Sequence, residues 1–371
     1  MTGARRALGP AIGLAVLGLA ICVPWIAVGT GGVFSGPLNS PGTLQVLALC
    51  LVFGGVALTY DLLFGFTGLL SFGHALYFAV GVYLVAIATT RWGWSFSEAV
   101  LFTAAVGAVL PLVLGTISLR VGGIAFAMVT LAFAQAGSIL VEKNPYQWTG
   151  AEEGVSVAYQ KLPSGLVGVL NTKNLYWVAL AYAVLVFAIV AWAVASSPGH
   201  IWQAIRENER RVEVLGLHPF SYKLGAFVLS SFLAVAGGVV YVLIIGGATP
   251  EVTTANFTLT ILVMVVLGGT GTRWGALLGG IVYTFADQRL PAAVSSDAIQ
   301  SLPGVLRTPL SEPLFVLGVI FILIVFFLPG GIAGLATRTR RPRGLRLLEE
   351  TVRPGGTRGL EEEPEGVEAA S

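Results

Sequence analysis

From Leu44 to Glu142 the only charged side chains are Asp61, Arg91, Glu98, Arg120 and Glu142, and between them lie long apolar runs. A helix needs about 20 apolar residues to cross the hydrocarbon core of a bilayer. In lipid the backbone must satisfy its own hydrogen bonds, which such runs do as helices. The pattern recurs along the chain. Runs at 8–29, 44–64, 66–90, 97–119, 122–142, 175–195, 223–246, 257–270, 274–290 and 313–334 predict about ten transmembrane segments in an all-α polytopic membrane helical bundle. The first follows Arg5 and Arg6 but is longer than a signal-peptide core and precedes no A-x-A site, so it is read as a retained helix. The eighth ends at the Gly-rich GGTGTR and is read either as a short span or as a re-entrant segment.

Composition agrees. Charged residues are 11% of the 371, hydrophobic residues 55%, and mean hydropathy is +0.83; soluble domains carry about 25% charge. Many of the charges gather in the Arg-rich, then Glu-rich tail. The chain thus divides into a membrane domain at 1–335, with a charged loop at 196–222, and a tail at 336–371 read as disordered, its Arg cluster a possible anionic-lipid contact. A net charge of +2 leaves no basic footprint for nucleic acid. Cys22 and Cys50 both sit in apolar runs and suggest neither metal nor disulfide.

Lys and Arg distribution gives orientation. With the N-terminus inside, Arg5, Arg6, Arg120, Arg206, Arg210, Arg211, Lys223, Arg273 and the tail arginines face the cytoplasm. Both termini are expected inside, the polar loop 143–174 outside, and 196–222 inside.

Catalytic signatures are missing. The four lysines follow Glu142, Gln160, Thr172 and Tyr222, so no Gly-Lys pair exists for a phosphate-binding loop. H-E-x-x-H and G-x-S-x-G are also absent. No catalytic residue, metal site or cofactor is assigned, and the chain is not expected to be an enzyme.

Three stretches could carry function. In SSPGHIWQAIRENERRVEVLG, Ser197 suits a helix cap, Pro198 its first turn and Gly216 its stop. Ile201, Ile205, Val212 and Leu215 mark an apolar side, and Arg206–Glu209 and Arg210–Glu213 are opposite charges at i,i+3. This reads as an amphipathic inner-face helix, either a solvated surface element or a dock for a cytoplasmic partner. In GFTGLLSFGHALYFAVGVY, helical spacing would give Gly68, Ser71, Ala75 and Ala79 one small-residue face, with Thr67, Ser71 and His74 as a polar line beside it. An ionisable group at membrane depth is a functional hypothesis by default; the alternatives are interhelical packing and lining of a pathway by Thr67, Gly68, Ser71 and His74. In GGTGTRWGALLGG, Gly271, Gly275 and Gly279 form a close-packing repeat. Asp61 and Asp287 are the other deep carboxylates, Asp287 near an interface.

Together, GFTGLLSFGHALYFAVGVY, IRENERRVEVLGLHPFSYKLGAFVLSSFLAVAGG, MVVLGGTGTRWGALLGG and FFLPGGIAGL resemble, in this order, the membrane permease subunits of branched-chain amino acid ABC importers, LivM-type. The resemblance covers about 44–335. WTGAEEGV is similar to the family's T-G-G-x-x-G, with Ala151 in place of a Gly. The general E-A-A-x-x-x-G importer motif is not matched, since Arg210 stands where its Glu would be. The resemblance implies translocation of leucine, isoleucine or valine, with urea or short amides as the alternative cargo. An ion-coupled secondary transporter is the competing class, which the Gly-rich break at 268–272 allows but the few deep acids disfavour. It implies a bacterial inner-membrane location and a heterodimer with a second permease subunit. Two cytoplasmic ATP-binding subunits, which use the ATP, and an extracytoplasmic substrate-binding protein complete the assembly. Arg206, Glu207, Asn208, Glu209, Arg210, Glu213 and Gly216 would then couple the chain to an ATPase.

Overall fold

The computed structural model describes residues 17–29, 36–168, 171–294, 309–328 and 330–338. Residues 17–22 are helical and lead into a 3-10 turn, Val23–Trp25. Eleven α-helices follow among the described residues: α1 (Pro41–Asp61), α2 (His74–Thr90), α3 (Phe96–Ser118), α4 (Gly123–Lys143), α5 (Thr172–Ala195), α6 (Ser197–Val214), α7 (Pro219–Ile245), α8 (Ala255–Gly268), α9 (Arg273–Val294), α10 (Pro313–Phe327) and α11 (Gly331–Arg338). The one sheet among them is a two-stranded antiparallel ribbon, β1 (Val155–Ser156) with β2 (Gly247–Ala248). The chain is an all-α polytopic bundle.

The expected count of about ten spans is not confirmed by the structure. Among the described residues, six helices are long and apolar enough to cross a bilayer: Pro41–Phe66, Phe96–Ser118, Gly123–Lys143, Thr172–Ala195, Pro219–Ile245 and Pro313–Gly334. Segments three and eight become the shorter apolar helices His74–Thr90 and Ala255–Gly268. Segment nine becomes α9, which carries Arg273, Asp287 and Arg289. Residues 8–16 of the first segment, and the tail beyond Arg338, lie outside the described residues.

α1 is the axis of the bundle. It packs against α5, α7, α8 and α9, and its second half is buried without interruption from Val56 to Asp61. Ser40 caps it, its hydroxyl oxygen accepting from the Thr43 amide. Small residues allow the tightest crossings. A Cβ on Gly81 of α2 would stand 2.1 Å from the Val235 carbonyl oxygen of α7, and one on Gly238 would stand 2.2 Å from that of Phe78. Backbone therefore touches backbone, which suits a setting where lipid gives no hydrophobic drive to helix association. The periphery is apolar and open: Leu101, Val109 and Val113 of α3, Ile124 and Met128 of α4, and Phe326 and Phe327 of α10 are exposed, a surface matched to lipid.

The two ends of the bundle differ. The ribbon end gathers aromatic rings, with Trp92 at 5.2 Å from Trp94 and 5.6 Å from Trp148. Such rings sit well at a headgroup boundary. The other end carries α6.

Candidate functional site

Residues 67–73 are not helical, which corrects the expected face of Gly68, Ser71, Ala75 and Ala79. α1 ends in a π-helical turn, Leu62–Phe66, and the Thr67 hydroxyl folds back to donate to the Leu62 carbonyl at 2.9 Å. Gly68 then takes φ +77°, a left-handed conformation at little cost only to glycine. The chain stays irregular until His74 opens α2. Irregular backbone at membrane depth survives only when protein satisfies it. Here the Phe72 amide donates to Thr130 Oγ1 of α4 at 3.1 Å, and the Ala75 amide to Thr258 Oγ1 of α8 at 3.0 Å. Side chains of two other helices thus cap the start of α2. Ser71 caps it locally, its Oγ accepting from the Gly73 amide at 3.2 Å.

Thr67, Ser71 and His74 are all buried in this break. The His74 ring packs edge-on against Tyr60, centroids 5.2 Å apart, and the Tyr60 hydroxyl donates to the Ser71 carbonyl at 3.0 Å. His74 Nε2 lies 3.0 Å from Thr59 Oγ1. The single Thr59 hydroxyl proton goes to the Val56 carbonyl at 2.7 Å, so Nε2 carries the hydrogen and donates. Nδ1 is then a bare acceptor, buried and without a partner. Ser230 Oγ donates to the Thr59 carbonyl at 2.6 Å, and the neighbouring Ser231 Oγ is buried with no partner. A polar layer therefore joins α1, α2, α7 and α8.

α6 begins with Pro198 in its first turn and ends before Gly216, at φ +81°. It is two pieces: Asn208, at φ −161° and ψ 100°, interrupts the helix, and its Oδ1 accepts from the Arg211 amide at 3.0 Å, capping the second piece. Ile205 and Val212 are buried as the apolar side requires, but Leu215 is exposed. The expected Arg206–Glu209 pairing is replaced. Glu209 pairs with Lys223 of α7, and Arg206 Nη1 donates to the Gly65 carbonyl in the π turn. Arg210–Glu213 is not among the ion pairs of the described residues; Glu207, Arg210 and Glu213 are exposed. Sequence reading passed over Trp202, which is buried and donates from Nε1 to the Tyr222 carbonyl at 2.8 Å, locking α6 to α7. A large aromatic in an otherwise charged helix was the available signal.

Gly275 and Gly279 lie where α9 passes α8; a Cβ on Gly279 would stand 2.1 Å from the Met264 carbonyl oxygen. Gly271 is elsewhere, in the link before α9, with φ +73°. Its amide donates at 2.8 Å to Oδ1 of Asp61, a fully buried carboxylate. A Cβ on Gly271 would meet Arg206 Nη1 at 2.8 Å and the Gly65 oxygen at 3.1 Å. The end of α1, the α8–α9 link and α6 therefore converge on one node.

Among the described residues no group of His, Cys, Asp and Glu could hold a metal.

Residues 42–328 match the model of the branched-chain amino acid transport system permease component family. The chain is 27% identical over 265 residues to the high-affinity branched-chain amino acid transport permease protein LivM of Salmonella typhimurium, covering 66% of this chain and 62% of the relative. It is 28% identical to the Escherichia coli LivM, with the same coverage. It is 29% identical to the autoinducer 2 import permease LsrC of an Enterobacter species, over 54% of this chain and 59% of the relative. The matched region thus spans 62% of the length of both LivM relatives. No solved structure matches the chain. With a family match running from the start of α1 through α10 and apolar helices that suit a multi-pass inner-membrane protein, the chain belongs to the branched-chain amino acid transport permease family.

Proposed function

We propose that this chain is the membrane-spanning subunit of an ATP-driven importer of leucine, isoleucine and valine. It pairs with a second permease subunit as a heterodimer, two cytoplasmic ATP-binding subunits and an extracytoplasmic substrate-binding protein. The observation that carries the reading is the family match over 42–328. The absence of a phosphate-binding loop in the sequence is in keeping with ATP use by partners.

In this reading α6 docks in the ATPase. It offers exposed Val214 and Leu215 beside Glu207, Arg210 and Glu213, an apolar tip with a charged rim suited to a protein groove. Asn208 and Gly216 shape the two ends of the docking piece. The pathway borders the polar layer of Thr67, Gly68, Ser71 and His74. A zwitterion carries no net charge, so hydrogen-bonding groups serve it without a fixed ionic clamp, and the bare Nδ1 of His74 is one such acceptor.

The test is uptake of labelled leucine by proteoliposomes holding the assembled complex and its binding protein. Uptake should require ATP inside the ATPase compartment and stop with vanadate. Uptake driven by an ion gradient without ATP would overturn the reading. Uptake of labelled urea or autoinducer 2 with no leucine uptake would overturn the cargo.

A further inference from the structure

Asp61 is the only buried carboxylate among the described residues. Its Oδ1 is held by the Gly271 amide, whereas Oδ2 is buried and has no hydrogen-bond partner. A carboxylate at such depth is expensive unless paired. With Oδ1 taken by the Gly271 amide, Oδ2 is the acceptor that the node leaves open. The nearby cation is Arg206, whose Nη1 lies 2.8 Å from where a Cβ on Gly271 would be and is committed to the Gly65 carbonyl. A guanidinium has five donors in a fixed fork and can serve two acceptors. Gly65 lies four residues beyond Asp61, one turn along, so both acceptors are on the same side of the turn. A Cβ on Gly65 would stand 1.9 Å from Asp61 Oδ1 and 2.4 Å from the Gly271 amide nitrogen, which shows how closely the node is drawn together. Space next to Gly68 is taken by the stem of Arg206, its Cγ 3.0 Å from where a Cβ would be.

We propose that Asp61 is a positioning residue for transport. Its free oxygen is a second berth for Arg206, and the guanidinium moves between the Gly65 carbonyl and Asp61 Oδ2 as α6 shifts. Oδ1 meanwhile keeps the α8–α9 link attached, so displacement of α6 is passed to both chain breaks together. The inference rests on the reading of α6 as the element that the ATPase moves.

The experiment uses the full chain in the assembled complex, in lipid, with spin labels on exposed Arg211 and Arg273. Adding ATP and vanadate should shift the label separation in the unsubstituted protein. Asp61→Asn keeps the acceptor for Gly271 and turns the second oxygen into a donor that repels Arg206. Arg206→Gln removes the moving guanidinium, and with it the bond to the Gly65 carbonyl, while leaving Asp61 and its bond to Gly271 in place. In both variants the nucleotide-dependent shift should vanish, and ATP hydrolysed per leucine imported should rise by about tenfold, the order of magnitude of a typical coupling between sites. Either variant keeping both the shift and the ratio overturns the proposal. A loss of uptake matched by an equal loss of assembled complex, with the ratio unchanged, overturns it as well and leaves a structural role. If the unsubstituted complex fails to import leucine, the cargo reading falls, while the label separations in the two variants still decide the node.

Discussion

The amide of Gly271 donates to the carboxylate of Asp61 at 2.8 Å, across 210 residues of sequence. That contact brings the end of α1 to the link between α8 and α9, and the Arg206 bond to Gly65 adds α6. The node has no room for added atoms. Gly65→Ala would set a methyl 1.9 Å from Asp61 Oδ1. Overpacking of a filled site costs about 1–3 kcal/mol, so the thermal transition of the purified chain in detergent should fall. An unchanged transition would mean that the node relaxes freely.

The α2–α7 crossing gives a paired comparison within one helix. Gly238→Ala places a Cβ 2.2 Å from the Phe78 carbonyl, whereas a Cβ on Gly225 of the same helix meets nothing within 4 Å. Gly238→Ala should lower the thermal transition clearly. Gly225→Ala should leave it level or raise it, since alanine is favoured over glycine in a helix by about 0.5–1 kcal/mol. Equal effects at the two sites would show that backbone contact does not hold this crossing.

His74 should be neutral with its hydrogen on Nε2, because Thr59 already spends its only proton on Val56. Nitrogen-15 spectra of ring-labelled protein would show this tautomer directly, and a protonated Nδ1 would contradict it. His74→Leu removes one buried hydrogen bond, worth about 1 kcal/mol. Assembly with the partner subunits should survive while leucine uptake drops. Unchanged uptake in that variant would confine His74 to packing.

Ala151 holds φ +51°, a left-handed conformation that suits glycine. Left-handed helical backbone costs a non-glycine residue roughly 1–2 kcal/mol. Ala151→Gly should therefore stabilise the loop, and protease nicking within 144–154 should slow. Faster nicking would indicate that the greater freedom of glycine in the unfolded loop dominates.

Single cysteines at Ser156 and Asn208, both exposed, test orientation. An impermeant reagent added outside should label position 156 and spare 208. The reverse pattern would invert the protein in the bilayer.

The helical bundle was legible because apolar runs with few charges allow little else in a membrane. The break at 67–73 was not. Its residues are as apolar and small as the helix around them, and Gly68 is one glycine of 48; what stops the helix is Thr130 and Thr258, which arrive from distant helices to take the freed amides. Arg206 was misread for a related reason. Glu209 stood at the right local spacing, but the actual acceptor, Gly65, lies 141 residues away. Asp61 stood out in the sequence as a deep carboxylate, yet nothing local pointed to Gly271. Periodicity sees neighbours along a helix and is blind to contacts that only the folded chain creates.

The small ribbon of β1 and β2 bears on the order in which the protein is made. Val155 pairs with Ala248 and Ser156 with Gly247, so the first strand leaves the ribosome long before the second. Thr149 ties the 144–154 loop to the end of α4 through the Val141 carbonyl and the Asn144 side chain, but its β1 edge has no strand to pair with until α5, α6 and α7 have been synthesised and α7 has crossed the bilayer. Gly154, whose Cα lies so near the Ala248 carbonyl that a Cβ would be 2.0 Å from it, marks how tight that late closure is. A nascent chain halted before β2 should thus keep this loop open to protease from the far side of the membrane, and release past Ala248 should shut it.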